Sequence, residues 1–474
     1  MRRFILMAGV LVLLAGACSA PQDPSEAGAG TPKPAGLVSN GPWTTTQVAG
    51  LPVADGPNGL RKDGPAPTSK AENTDGGELD RVALAALDDV QAFWKANFPG
   101  QYVPVKRVLS YSSTDGGPTA CGEPTKGVVN AFYCSSENTV AWDRAVLLPL
   151  LDRKFGELSI ATVLAHEIGH SVQFQLKDVT GETPQIIAEQ QADCYAGAFF
   201  RSIAEGGSER FQVSTGSGLN QILQTLFFVR DAPGKTVEGD RAHGNAFDRV
   251  TAFQEGFGDG FTRCRKIDEA EIKNRVTEQS ESQAGAQDAN GADLTFDADA
   301  SENLESTLRE QFGKDVKAQL TVGLLDCPSA KQTKPASYCP DTGILLFDTD
   351  AVVAMAKPLD KGGSGDFAAF AELASRFTLA VQKAAGLKLT GEAAAQRTAC
   401  LTGTWAASIK PGQQRALQLS PGDLDEAIGE MLGAKSLIAA DVDGTSVPSG
   451  FARVKAFRAG FSEGTVEACE KAYP

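Results

Sequence analysis

Over residues 159–176 apolar side chains stand at Ile160, Val163, Leu164 and Ile168, at intervals of three, one and four. That spacing predicts one face of a helix. Farther along, Glu189 and Asp193 in AEQQADCYAG lie four apart, on one face of a second helix. Residues 1–20, MRRFILMAGVLVLLAGACSA, pair two arginines with a short apolar run and then small residues, the pattern of a secretion signal. The run gives way to polar sequence too soon for a membrane span. Residues 19–77 are rich in Ala, Gly, Pro, Ser and Thr and offer little to bury, which predicts a flexible stalk.

The same pattern is then written a second time. FDRVTAFQEGF at 247–257 and FARVKAFRAGF at 451–461 agree at seven of eleven positions. LAHEIGHSVQ at 164–173 is answered by LASRFTLAVQ at 373–382, AFYC by ASYC, and ADCYAG by TACLTG. These matches predict an old tandem duplication: a domain over 78–275, a polar linker over 276–292 and a degenerate copy over 293–474. Features kept in both copies are scaffold. Polar features kept in one only are candidates for chemistry.

Composition narrows the choice of partner and compartment. A net charge of −15 excludes a nucleic-acid partner, because phosphates must be met by Lys and Arg. It also excludes an electrostatic membrane face. LAGAC ending at Cys18 resembles the lipobox of bacterial lipoproteins, so Cys18 is expected to carry a lipid that anchors the exported chain to the membrane. An ordinary cleaved signal is the alternative. The other eight cysteines, Cys121, Cys134, Cys194, Cys264, Cys327, Cys339, Cys400 and Cys469, recur at offsets of 205 or 206. An even count in an exported chain argues for disulfides, and zinc–thiolate sites need closer pairs. Identical pairing inside each copy leaves three connectivities. Cys121–Cys134, Cys194–Cys264, Cys327–Cys339 and Cys400–Cys469 is favoured, since a 13-residue separation closes easily.

The chain has three histidines, and two of them, His166 and His170, flank Glu167 in HEIGH. On a helix, residues four apart project from one face, which brings two imidazoles to one Zn²⁺. Glu167 then stands near the activated water, placed for general-base duty. The bland alternative is a pair of surface histidines on a polar face. Glu189 is the best third ligand and Asp193 a partner for His166 that fixes its tautomer. Asp178 and Glu182, in the turn-like KDVTGETP, are weaker rivals for the ligand. His243, in RAHGNAFDR, is a candidate for supporting the oxyanion; ordering its own loop is the alternative. Tyr195 is expected to face the core, and Arg249, which recurs as Arg453, to be a structural hydrogen-bonder first.

HEIGHSVQ, EQQADCYAG and the upstream CGEPTKGVVNAFYC together resemble the bacterial neutral zinc metallopeptidase family over residues 79–266. The resemblance implies a zincin-like α+β fold, predominantly helical, of the gluzincin type, with Glu189 as third ligand. Ser171 stands where the family often has another histidine, so that position is not expected to be essential. In the later copy, Ser375, Arg376, Leu379, Ala395, Ala399 and Val447 replace His166, Glu167, His170, Glu189, Asp193 and His243. Two functions follow as expectations. One is a membrane-anchored zinc metallopeptidase that cleaves peptide or protein substrates with a metal-activated water. The other is a non-catalytic zinc-binding lipoprotein that acts as a binding or assembly factor.

Overall fold

The computed structural model describes residues 46–231, 243–275, 294–323 and 327–474. The expected signal, Cys18 and the 276–292 linker lie outside these residues. The fold is α+β, with helices over about half of the described residues and only short strands.

Strands β1 (Gln47–Val48), β2 (Leu51–Pro52) and β3 (Gly59–Leu60) precede helix α1 (Glu78–Asn97). Strands β4 (Arg107–Tyr111), β5 (Ala131–Cys134) and β6 (Thr139–Asp143) follow, then α2 (Leu147–Phe155), α3 (Glu157–Leu176) and α4 (Gln185–Ala204). Strand β7 (Phe211–Gln212), α5 (Ser217–Phe228), α6 (Ala246–Asp259), α7 (Phe261–Cys264) and α8 (Glu269–Arg275) complete the N-terminal half. The C-terminal half runs α9 (Ala298–Phe312), β8 (Gln319–Val322), β9 (Ala336–Cys339), β10 (Ile344–Phe347), α10 (Thr349–Met355) and α11 (Asp366–Ala384). It ends with α12 (Glu392–Ser408), α13 (Asp423–Leu432), α14 (Gly450–Glu463) and α15 (Val466–Ala472).

Helix α3 contains the expected 159–176 segment. Gly156 enters it at φ 73°, and Lys177 ends it in the left-handed region with its N–H turned back to Gln173 and Phe174. Ile160, Leu164, Ile168 and Val172 are fully buried, so the helix runs through the middle of the N-terminal core and not over its surface. Gly169 lies against Ala192 of α4, and the two small residues let the backbones approach closely. In the sheet beside α3, β6 is central, parallel to β4 and antiparallel to β5. Strand β5 is therefore an edge. The C-terminal half has the same order, with β10 parallel to β8 and antiparallel to β9.

The expected stalk over 19–77 is corrected for residues 46–77. They form β1–β3 and lie across the N-terminal core. Strand β3 pairs with β7, Leu60 N–H donates to Glu157 at 2.6 Å, and Arg201 donates to the Ala49 carbonyl at 2.8 Å. The segment has few apolar side chains, yet its backbone is held by side chains from the rest of the domain. Composition measures what a segment can bury, not which hydrogen bonds its neighbours provide.

All four favoured disulfides are present: Cys121–Cys134, Cys194–Cys264, Cys327–Cys339 and Cys400–Cys469. The glycines of the repeated motifs have a packing reason. A Cβ on Gly197 would overlap the Phe253 carbonyl, and one on Gly256 the Cys194 carbonyl; Gly403 and Gly460 meet Phe457 and Cys400 in the same way. Helices α4 and α6, like α12 and α14, thus cross at backbone contact.

The two halves meet through α6 and α14. Phe247 packs on Phe461 with ring centroids 5.3 Å apart, and Phe451 packs on Phe257 at 5.2 Å. In the aligned motifs Phe247 corresponds to Phe451 and Phe257 to Phe461, so each contact is the image of the other. Gln254 and Arg458, also equivalent, each donate to a carbonyl of the opposite helix, at 2.8 and 3.0 Å. Such reciprocity is the mark of a two-fold interface.

Candidate metal centre

The close crossing of α3 and α4 brings one carboxylate up to two imidazoles. His166 Nε2 lies 3.2 Å from His170 Nε2 and 3.1 Å from Glu189 Oε2, and His170 Nε2 lies 3.5 Å from the same oxygen. Three donors each ~2.0–2.1 Å from one tetrahedral ion stand about 3.3–3.4 Å apart. The triangle therefore fits a zinc ion, with the fourth corner free. The other oxygen of Glu189 is held by the Gln185 side-chain amide.

Both ring tautomers are set from behind. His166 Nδ1 lies 2.8 Å from Asp193 Oδ1, the contact expected from the sequence. Arg249 on α6 in turn grips Asp193 with two bonds of 2.8 Å. His170 Nδ1 lies 3.0 Å from Gln173 Oε1, while Gln173 Nε2 donates to the Ala188 carbonyl at 2.7 Å. With its amide nitrogen so engaged, Gln173 presents oxygen to His170, and the imidazole must donate from Nδ1. Both Nε2 atoms are left with lone pairs aimed at the triangle.

The electrostatics describe a hole shaped for a cation. Burial disfavours a charged His166, but Asp193 and Glu189 outweigh it and raise the imidazole to about 10. Burial likewise opposes charge on His170, and Glu189 overcomes it upward. Against its own burial, Glu189 is held well below the carboxylate range by the two histidines. Asp193 is lowered, against burial, chiefly by Arg249. A metal ion takes the imidazoles in their neutral form, so binding here is coupled to the release of any proton the histidines hold.

Glu167 points the other way along α3, toward the edge strand, where its Oε2 accepts the Tyr133 N–H at 2.9 Å. Burial pushes its carboxyl upward, against the two nearby histidines. It lines a cleft of about 500 Å³ together with Asn130, His166, His170, Glu189 and His243. A smaller recess of about 130 Å³ continues from it, walled by Leu147, Val163, Leu226 and Val229. The ring of His243 is 45 % exposed and stands 3.5 Å from Asp231, whose carboxylate also accepts the His243 and Gly244 N–H groups.

The rivals are elsewhere. Asp178 pairs with Tyr195 and Arg265, both at 2.6 Å, and Glu182 is exposed in its turn. Tyr195 faces the core, edge-on to Trp94. Ser171 is fully buried and accepts from Gln175. Arg249 is a hydrogen-bonder, as expected, and its grip on Asp193 makes it part of the centre's support, whereas Arg453 donates only to main-chain carbonyls of 431–448. Gln173 and Asp231 were missed. Gln173 is three residues from His170, close enough on a helix to signal the contact.

The corresponding place in the C-terminal half is closed. Arg376, at the Glu167 position, is fully buried, and its guanidinium donates to the carbonyls of Leu437, Ala440 and Asp441 at 2.7–2.8 Å. Leu379, Ala395, Ala399 and Val447 around it are apolar and buried.

Two histidines one helical turn apart, a carboxylate from the next helix and a glutamate facing an open cleft define a site of the zinc metallopeptidase class. Residues 45–267 match the model of the family described as "Putative neutral zinc metallopeptidase", so over this segment the chain is similar to that family. The match takes in β1–β3, so the domain begins well before the residue expected from motifs alone. No curated protein and no solved structure matches the chain.

Proposed function

We propose that the chain is an exported peptidase, anchored to the membrane through a lipid on Cys18, whose N-terminal half hydrolyses peptide bonds with zinc held by His166, His170 and Glu189. The observation that carries this reading is the placement of Glu167. A purely structural zinc site has no use for a further carboxylate turned toward an open cleft. Zinc bound there would polarise the scissile carbonyl and ease ionisation of water. Glu167, buried and of raised proton affinity, takes the proton of the attacking water and returns it to the leaving amine. His243, which lines the same cleft, would support the carbonyl oxygen as it gains charge. The C-terminal half is, in this reading, a duplicate of the first that lost its ligands and kept its scaffold.

The test is made on the full chain, loaded with zinc and incubated with a mixture of peptides. Cleavage that stops on chelation and returns with zinc is expected. In cells, Cys18→Ala should release the protein from the membrane fraction. A chain that holds zinc yet cleaves no peptide favours the binding or assembly factor instead, and a Cys18→Ala chain that stays with membranes contradicts the anchor.

A further inference from the structure

The turn that carries His243 is fastened from the C-terminal half. Residues 229–231 and 243–245 lie side by side. Asp231 N–H donates to the Gly244 carbonyl at 3.1 Å, and its carboxylate takes the N–H groups of His243 and Gly244. Arg230 and Phe247 flank this contact in the chain, and both reach the same carboxylate of α13. Arg230 Nε lies 2.7 Å from Asp425 Oδ2, and Phe247 N–H donates to Asp425 Oδ1 at 3.1 Å. Asp425 is 2 % exposed.

Neighbouring contacts keep this clasp in register. The Arg230 guanidinium stacks 3.9 Å over the Phe227 ring. Gly429, one helical turn beyond Asp425 on α13, seats against the same ring, where a Cβ would come within 3.1 Å. Two residues past Phe247 on α6 is Arg249, which grips Asp193 and donates to the Val229 carbonyl at 2.8 Å. The clasp therefore leads by short covalent steps to both the His243 turn and the support of His166.

We propose that Asp425 is a positioning residue for His243, by which the C-terminal half completes the catalytic cleft. The proposal rests on the peptidase reading above for its consequence in turnover. Its structural content stands apart from that reading. The acidic side chain ties the segments that flank the Asp231–His243 contact to α13. Its loss leaves the Arg230 guanidinium and a helix N-terminal N–H without their partner, and a misplacement of about 1 Å in a catalytic group can cost ~10²-fold in rate.

The experiment compares Asp425→Asn and Arg230→Leu in the zinc-loaded full chain, with Phe451→Leu as a control that loosens the α6–α14 contact away from the turn. Three histidines give a ring-proton NMR spectrum simple enough to follow each one. Both test variants should move or broaden the His243 resonance, leave His166 and His170 in place, and keep the zinc content. In turnover, kcat should fall ~10- to 10²-fold with KM little changed. Phe451→Leu should lower the melting temperature with neither effect. An unmoved His243 resonance in both test variants overturns the proposal, as does an equal loss of kcat in Phe451→Leu at equal loss of melting temperature. The NMR result decides the positioning claim even where no peptide is cleaved, so failure of the peptidase reading is seen separately, as a wild-type chain without activity.

Discussion

Glu167→Gln should abolish most peptide hydrolysis, by on the order of 10²–10⁴-fold in kcat, with zinc content unchanged. The substitution keeps shape and volume, and the amide oxygen still accepts the Tyr133 N–H that Glu167 takes at 2.9 Å. What disappears is the capacity to hold and return a proton. Glu167 belongs to neither the ligand triangle nor the carboxylates behind it, so the ion has no reason to leave. Folding should not suffer, because burial already raises the proton affinity of this carboxyl and a neutral amide is no harder to bury. Kinetics on a cleaved peptide, beside metal analysis and a melting curve, check all three parts. Equal loss of zinc and turnover would place Glu167 among the ligands and overturn its role.

The largest expected effect on folding comes from Gly256→Ala. A single methyl here would overlap the carbonyl oxygen of Cys194, and that oxygen belongs to the α4 backbone, which cannot swing aside as a side chain does. Relief requires α4 and α6 to separate. The separation would also draw Arg249 away from Asp193, since α6 carries the one and α4 the other. Overpacking of this kind costs about 1–3 kcal/mol or more, a large share of a typical net stability of ~5–15 kcal/mol. Chemical denaturation should show the loss, and Gly460→Ala, at the matching α12–α14 crossing, should show a similar one. A neutral Gly256→Ala would mean that the helices are not at backbone contact.

Much of the centre was legible in the chain because it is local. A helix fixes the relation of residues three and four apart, so HEIGH gave two ligands and AEQQADCYAG gave Glu189 with Asp193. The recurring sequence pattern also pointed to the disulfides, because cysteines that recur at one offset are expected to pair alike. The same comparison did not show that Arg249 bonds behind the centre, and it passed over Gln173. Both recur, as Arg453 and Gln382, and recurrence looked like scaffold. In the structure the retained residues have changed partners: Gln382 accepts from Arg397, and Arg453 caps carbonyls. A residue kept in both halves can serve chemistry in one and packing in the other. Residues 46–77 were illegible for a different reason, since partners such as Glu157 for Leu60 and Thr215 for Ala54 lie 97 and 161 positions away and composition carries no trace of them. Asp425 belongs with these. Its partners Arg230 and Phe247 are distant in sequence, and only the fold shows that a half without ligands supports the site.

Zinc titration of the metal-depleted full chain, with its Glu167→Gln and Glu189→Ala variants, tests the central claim most directly. The wild-type chain should bind about one tight zinc, because among the described residues only His166, His170 and Glu189 form a triangle free of disulfide cysteines that joins imidazole to carboxylate. Glu167→Gln should bind the same amount, and Glu189→Ala should lose tight binding. Undiminished zinc in Glu189→Ala, or two tight ions in the wild-type chain, would contradict the assignment of this centre.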